Sequence, residues 1–160
     1  MNIRPAMHSD VEAVVQLGRE MHSLGRFKNI RYDFTKCRQA VRHCVDNPGS
    51  FFFCIAETDE KEIIGLHMGM LQEYFFSNQV AAQSISFFVT PEYRGSSAAL
   101  KMLYAFKKWA KKRNAIEVVF GTGISEGAPL AVMDNFMKRL GFELTGGNYG
   151  LWINTDQSVG

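Results

Sequence analysis

A strand, a proline stop, a turn of small residues and a long helix follow one another between Gln83 and Arg113. No other stretch limits the possible fold as tightly. Gln83 to Val89 reads as a strand, and Thr90-Pro91 stops it. Arg94-Gly95-Ser96-Ser97-Ala98-Ala99 then leads into a helix with the apolar stripe Ala99, Leu103, Phe106 and Ala110, widened by Met102 and Trp109. A helix N-terminus carries unpaired backbone N–H groups and about half a positive charge from its dipole. Small residues let an anion come close to that backbone. The segment therefore predicts a phosphate or pyrophosphate site. Taken alone, it also fits an ordinary strand-to-helix connection.

The rest of the chain predicts one α/β domain spanning 1–160, with a frayed tail after 154. Ile3-Arg4-Pro5 is a short edge strand closed by proline. Ser9 to Glu12 fits a capping box, and the first helix runs to Leu24-Gly25. Residues 26–34 read as a loop, and Asp33 or Thr35 caps a second helix with the stripe Cys37, Ala40, Val41, Cys44 and Val45. Phe51–Glu57 and Glu62–Leu71 are strands about a solvated turn, the second carrying Gly65 and Gly69, glycines that mark a close approach. Residues 73–82 read as a loop. After the long helix come a strand at Ile116–Phe120 and a Gly/Ser loop at 121–127. A fourth helix then begins at Pro129 and is stopped by Gly141. Phe142–Thr145 and Tyr149–Ile153 read as closing strands around a Gly146-Gly147-Asn148 turn. The order β-α-α-β-β-β-α-β-α-β-β implies a mixed sheet with helices on both faces.

Charge and cysteine usage remove several function classes. Lys and Arg number 18 against 16 Asp and Glu, a net +2, so the strong basic field of a nucleic-acid binder is missing. The basic cluster Lys107, Lys108, Lys111, Lys112 and Arg113 reads first as a solvated helix end. The longest apolar run, Phe51–Ala56, falls far short of a membrane span. The N-terminal residues show no basic-then-apolar leader pattern, so a cytoplasmic location is expected. Cys37, Cys44 and Cys54 form no Cys-x-x-Cys pair, and His8, His22, His43 and His67 show no zinc spacing; no metal is expected.

Val89-Thr90-Pro91-Glu92-Tyr93-Arg94-Gly95-Ser96-Ser97-Ala98-Ala99 resembles the V-x-P-x-x-R-G-x-G-x-G/A acetyl-CoA signature of the GNAT family of N-acetyltransferases. Leu140-Gly141-Phe142 resembles that family's LGF motif, and the element order agrees over roughly 2–153. The resemblance implies a mixed, mostly antiparallel central sheet flanked by helices on both faces. It implies that Arg94, Gly95, Ser96, Ser97, Ala98 and Ala99 wrap the CoA pyrophosphate, and that Phe88 and Val89 pair by backbone with the pantetheine arm. The Val89 N–H would stabilise the oxyanion. The loop near Gly123 and the start of the fourth helix would flank the cofactor.

Two departures bear on chemistry. Ser97 replaces the usual signature glycine, and Met137 stands where the family often has a Tyr that protonates the leaving thiolate. Tyr149 and Ser125 are candidates for that acid. An alkyl ammonium with a pKa near 10.4 must lose a proton before it attacks. Gln83–Ser86 holds no acid, so Glu73 and His67 are the candidate bases, each with a plainer reading as a solvated charge and a packed strand residue. The 26–34 loop, with Phe27, Tyr32 and Phe34, lies where the family builds its acceptor site. The expected function is acetyl transfer from acetyl-CoA to a primary amine of a small molecule or peptide, without a covalent enzyme intermediate. Two alternatives stand beside it: a catalytically silent acyl-CoA- or protein-binding module, and a nucleic-acid module using the basic helix; a homodimer is a candidate assembly for any of them.

Overall fold

A computed structural model describes residues 1–121 and 129–153. The elements run β1 (Asn2–Pro5), a 3-10 turn (His8–Asp10), α1 (Val11–Leu24), α2 (Phe34–Asp46), β2 (Phe51–Glu57), β3 (Ile63–Tyr74) and β4 (Ser77–Val89). After a 3-10 turn at Pro91–Tyr93 come α3 (Ala98–Lys112), β5 (Glu117–Val119) and α4 (Leu130–Arg139). The strands form one sheet in the order β1-β2-β3-β4-β5. Every pairing is antiparallel except that of β4 with β5.

Both faces of the sheet are covered, which explains the unbroken apolar run of β2. Phe52, Cys54 and Ala56 point toward α3 and α4, where they meet Met102, Phe106 and Met133. Phe53 and Ile55 point toward α1 and α2, where they meet Val14, Val15 and Val41. Burying a side chain such as that of Phe106 removes it from water for about 2–3 kcal/mol. Gly69 allows α3 to lie this close, and Gly65 sits against both the β4 backbone and Met102 of α3. A Cβ on Gly65 would meet the Phe88 carbonyl at 2.9 Å, and one on Gly69 would enter the Phe106 ring.

Three expectations are corrected. Residues 73–82 are not a loop, because β3 and β4 continue through them to a turn at Phe75-Phe76, with Tyr74 opposite Ser77. Cross-strand pairing overrides the polar composition of Ser77-Asn78-Gln79. The closing strands are absent: the described residues after α4 have no strand pairing, and Leu144, Tyr149, Leu151 and Ile153 are exposed. A groove of about 620 Å³ runs instead between β5 and residues 141–148. Ser9 does not cap α1. The Asp10 carboxylate accepts from the Met7 N–H (2.8 Å) and from both Arg4 terminal nitrogens (2.7 and 2.9 Å). Arg4 also bonds Glu57 (2.9 Å), joining β1 to β2 and to the start of α1. Asp33 does cap α2, accepting from the Lys36 N–H at 2.9 Å.

Candidate active site

The site begins with an irregularity in β4. Met68 is opposite Ser86 and Gly69 is opposite Ser84, so Ile85 is an extra residue, a β-bulge. The parallel pairing with β5 covers only Ala81 to Gln83. Among the described residues, β4 from the bulge onward has β3 on one side and an open edge on the other.

The ladder decides which backbone groups face that edge. Thr90 N–H donates to the Ile64 carbonyl at 2.9 Å. In an antiparallel pair the direction alternates, so Phe88 also faces β3, while Phe87 and Val89 turn their N–H and C=O groups away from it. Arg94 Nε, which donates to the Val89 carbonyl at 3.3 Å, agrees with this. The expectation that Phe88 offers its backbone to a ligand is thus corrected. Phe87 takes that place beside Val89; the bulge that shifts the alternation leaves no mark in the sequence.

The open edge ends at the turn of small residues. Gly95 has φ +87°, a left-handed conformation that favours glycine, and open space surrounds its missing Cβ. Ser96 N–H donates to the Tyr93 carbonyl (3.2 Å), and the Ser96 hydroxyl accepts from Ala98 N–H (3.3 Å). The first helical bond runs from Lys101 N–H to the Ser97 carbonyl (3.0 Å), so the amides of Ala99 and Leu100 precede it. A cavity of about 580 Å³ gathers Phe87, Phe88, Val89, Arg94, Gly95, Ser96, Ser97 and Ala99, and is closed by Val132, Met133 and Phe136 of α4. Ala98 is fully buried behind it, where it packs in the core.

Three of the expected proton-transfer groups, His67, Glu73 and Tyr149, do not line this cavity. His67 is 0% exposed and ringed by Phe52, Phe87, Phe106 and Phe120, with Nε2 3.0 Å from Ser84 Oγ. Burial pushes its pKa down to about 3, against a smaller upward pull from the Met102 backbone. It is a packed neutral residue. Glu73 is exposed in β3 opposite Val80. Gly65, the partner of Val89, lies about 26 Å of strand away from it. Tyr149 is fully exposed and does not line the cavity. Gly123 and Ser125 lie outside the described residues. Met137 is buried in the core between the sheet and α4. The basic helix end is partly structural: Arg113 donates to the carbonyls of Gly49 (2.9 Å) and Pro48 (2.6 Å).

A mixed sheet covered on both faces, with a strand edge that runs into a turn of small residues at a helix N-terminus, defines the class as an α/β domain. The chain belongs to the acetyltransferase (GNAT) family, whose model matches residues 16–142. Solved structures with the same fold include AAC(6')-Iy in complex with the bisubstrate analogue CoA-S-monomethyl-acetylneamine (16% identical, TM-score 0.73, covering 96% of this chain and 97% of that one). Glucosamine-6-phosphate N-acetyltransferase from Arabidopsis thaliana is also similar (13%, TM-score 0.73, 96% and 98%). So is the aminoglycoside 6'-N-acetyltransferase AAC(6')-Ih from Acinetobacter baumannii (22%, TM-score 0.68, 96% and 97%). A search of curated protein sequences finds no match. Among the described residues, no helix is long and apolar enough to cross a membrane.

Proposed function

We propose that this single domain is an acetyl-CoA-dependent N-acetyltransferase of the cytoplasm, transferring acetyl directly to a primary amine. The observation that supports it is the open edge of β4 ending in the Arg94–Ala99 turn, with one cavity along both. The outward N–H of Val89, with that of Phe87, would pair with the pantetheine arm as an added strand and polarise the thioester carbonyl. Gly95, Ser96, Ser97 and the first amides of α3 would hold the pyrophosphate, with Arg94 beside them. Bound there, acetyl-CoA supplies a thioester that an uncharged amine attacks, releasing the CoA thiol. Direct transfer fits the cysteines: burial raises the Cys54 thiol to about 12 and also raises that of Cys44, so neither of these two is a ready thiolate, and Cys37, in α2, does not line this cavity.

Acetyl-CoA should raise Tm in a concentration-dependent way, by roughly 2.7 kcal/mol of added stability at 100 times Kd. Ser97→Trp, which fills the turn, should abolish the shift. Retention of the shift in that variant would contradict the pyrophosphate assignment. The buried thioether at Met137 supports the silent-module reading, since it cannot protonate a thiolate. That reading requires cofactor binding without thiol release, and free CoA produced with any amine rejects it.

A further inference from the structure

A second cavity lies on the other face of β4. It measures about 260 Å³ and opens between α1, α2, β3 and β4. Val14, Met21, Val41, Leu66 and Met68 build its walls, with Ala40 among the residues that line it. Among the described residues, no Asp, Glu, Lys or Arg lines it. Ser86 lines this cavity and the next residue, Phe87, lines the other. The two cavities therefore approach the open edge of β4 from opposite faces, just past the bulge.

Besides the Cys37 thiol, the polar side chains at this cavity are Tyr32, Ser86 and His22. The Tyr32 hydroxyl donates to the Val15 carbonyl at 2.8 Å. Ser86 Oγ contacts Met21 Sδ at 3.4 Å, a weak acceptor. His22 Nδ1 is buried without a hydrogen-bond partner. One amino group could be held by Ser86 and His22. A second ammonium would be stripped of water with no carboxylate in the lining to meet it; Arg19, whose charge acts on the Tyr32 hydroxyl, and Arg26, over the Phe27 ring at 5.1 Å, stand outside the lining. The volume is that of about nine water molecules, which suits a short alkyl chain or one aromatic ring.

We infer that the acceptor is a compact apolar amine, an alkylamine or arylalkylamine, whose hydrocarbon part fills this cavity. The inference rests on the transferase reading above and names the acceptor it left open. One N–C bond forms, the thioester C–S bond breaks, and the proton lost by nitrogen ends on the CoA sulfur. The products are the amide and the free thiol.

The test measures CoA thiol release with propylamine, butylamine, hexylamine, 2-phenylethylamine, neamine and glucosamine 6-phosphate. kcat/KM should rise roughly threefold to fourfold per methylene until the cavity is full, and 2-phenylethylamine should exceed both amino sugars. Ala40→Trp, at an exposed position of α2, should reduce the activity with 2-phenylethylamine at least tenfold while leaving the acetyl-CoA thermal shift intact. A flat alkyl series, or an amino sugar as the better substrate, overturns the inference and leaves the transferase reading standing. Absence of any acetyl-CoA shift overturns both. If no amine is turned over, calorimetry of 2-phenylethylamine with the CoA-saturated protein decides: binding lost in Ala40→Trp supports the assignment, and no binding overturns it.

Discussion

His67 and Glu57 show how one side chain's surroundings set its chemistry. His67 is sealed among aromatic rings and held neutral, its pKa near 3 against an ordinary 6.5. The unfolded chain takes up its proton first as pH falls, so this contribution to stability is full above about 6.5 and is lost toward 3. Hydrogen bonds from Lys61, then Asn2 and Arg4, hold the Glu57 carboxyl down at about 2 against 4.5. Its contribution is likewise full above 4.5 and is lost as pH falls toward 2. Stability measured by urea titration should therefore begin to fall below pH 6.5 and fall further below 4.5. His67→Phe with Ser84→Ala, which removes both ends of the buried bond, should flatten the curve between 6.5 and 4.5 and leave below 4.5 only the part of the fall that belongs to Glu57. An unchanged upper limb would mean that His67 titrates freely.

At the scale of elements, the contact between α3 and β3 is the tightest constraint. Gly69 has no room for a methyl group beside Phe106, and neither ring nor strand can yield without disturbing Phe52 and Trp109, which pack on the same ring. Gly69→Ala should cost about 1–3 kcal/mol by overpacking, read as a lower Tm with an unchanged denaturant m-value. Pairing it with Phe106→Leu, which gives the methyl space, should cost less than the two changes summed. The sequence marked Gly65 and Gly69 as places of close approach, because a glycine inside an apolar strand needs a reason. It could not say which neighbour comes close: the Phe88 carbonyl of β4 at Gly65 and Phe106 of α3 at Gly69. The bulge at Ile85 was invisible for a related reason: it depends on β3 as much as on β4, and β3 reads the same with or without it.

Across the whole molecule, what was legible followed local chemistry. The Arg94–Ala99 turn, the Asp33 cap and the two-faced burial of β2 depend on adjacent residues or on a short period, and all three stand in the structure. The 73–82 hairpin and the fate of residues 142–153 depend on partners far along the chain, and there the reading failed. Glu73, His67 and Tyr149 lie away from the first cavity for the same reason. A carboxylate or imidazole is easy to find in a sequence, but its distance from the open edge of β4 is set by register. The second cavity was missed because its lining comes from four elements, none of which carries a motif.

The alternation along the end of β4 has a consequence for isotope exchange. Amides of Phe88 and Thr90 are spent on β3, whereas those of Phe87 and Val89 are turned outward beside them. Deuterium uptake along this strand in the free protein should therefore alternate residue by residue, fast at 87 and 89 and slow at 88 and 90. Saturation with CoA should slow the two fast sites selectively. The strand would then report occupancy as a change from a zigzag to a level protection profile, and a zigzag that persists with CoA bound would place the cofactor elsewhere.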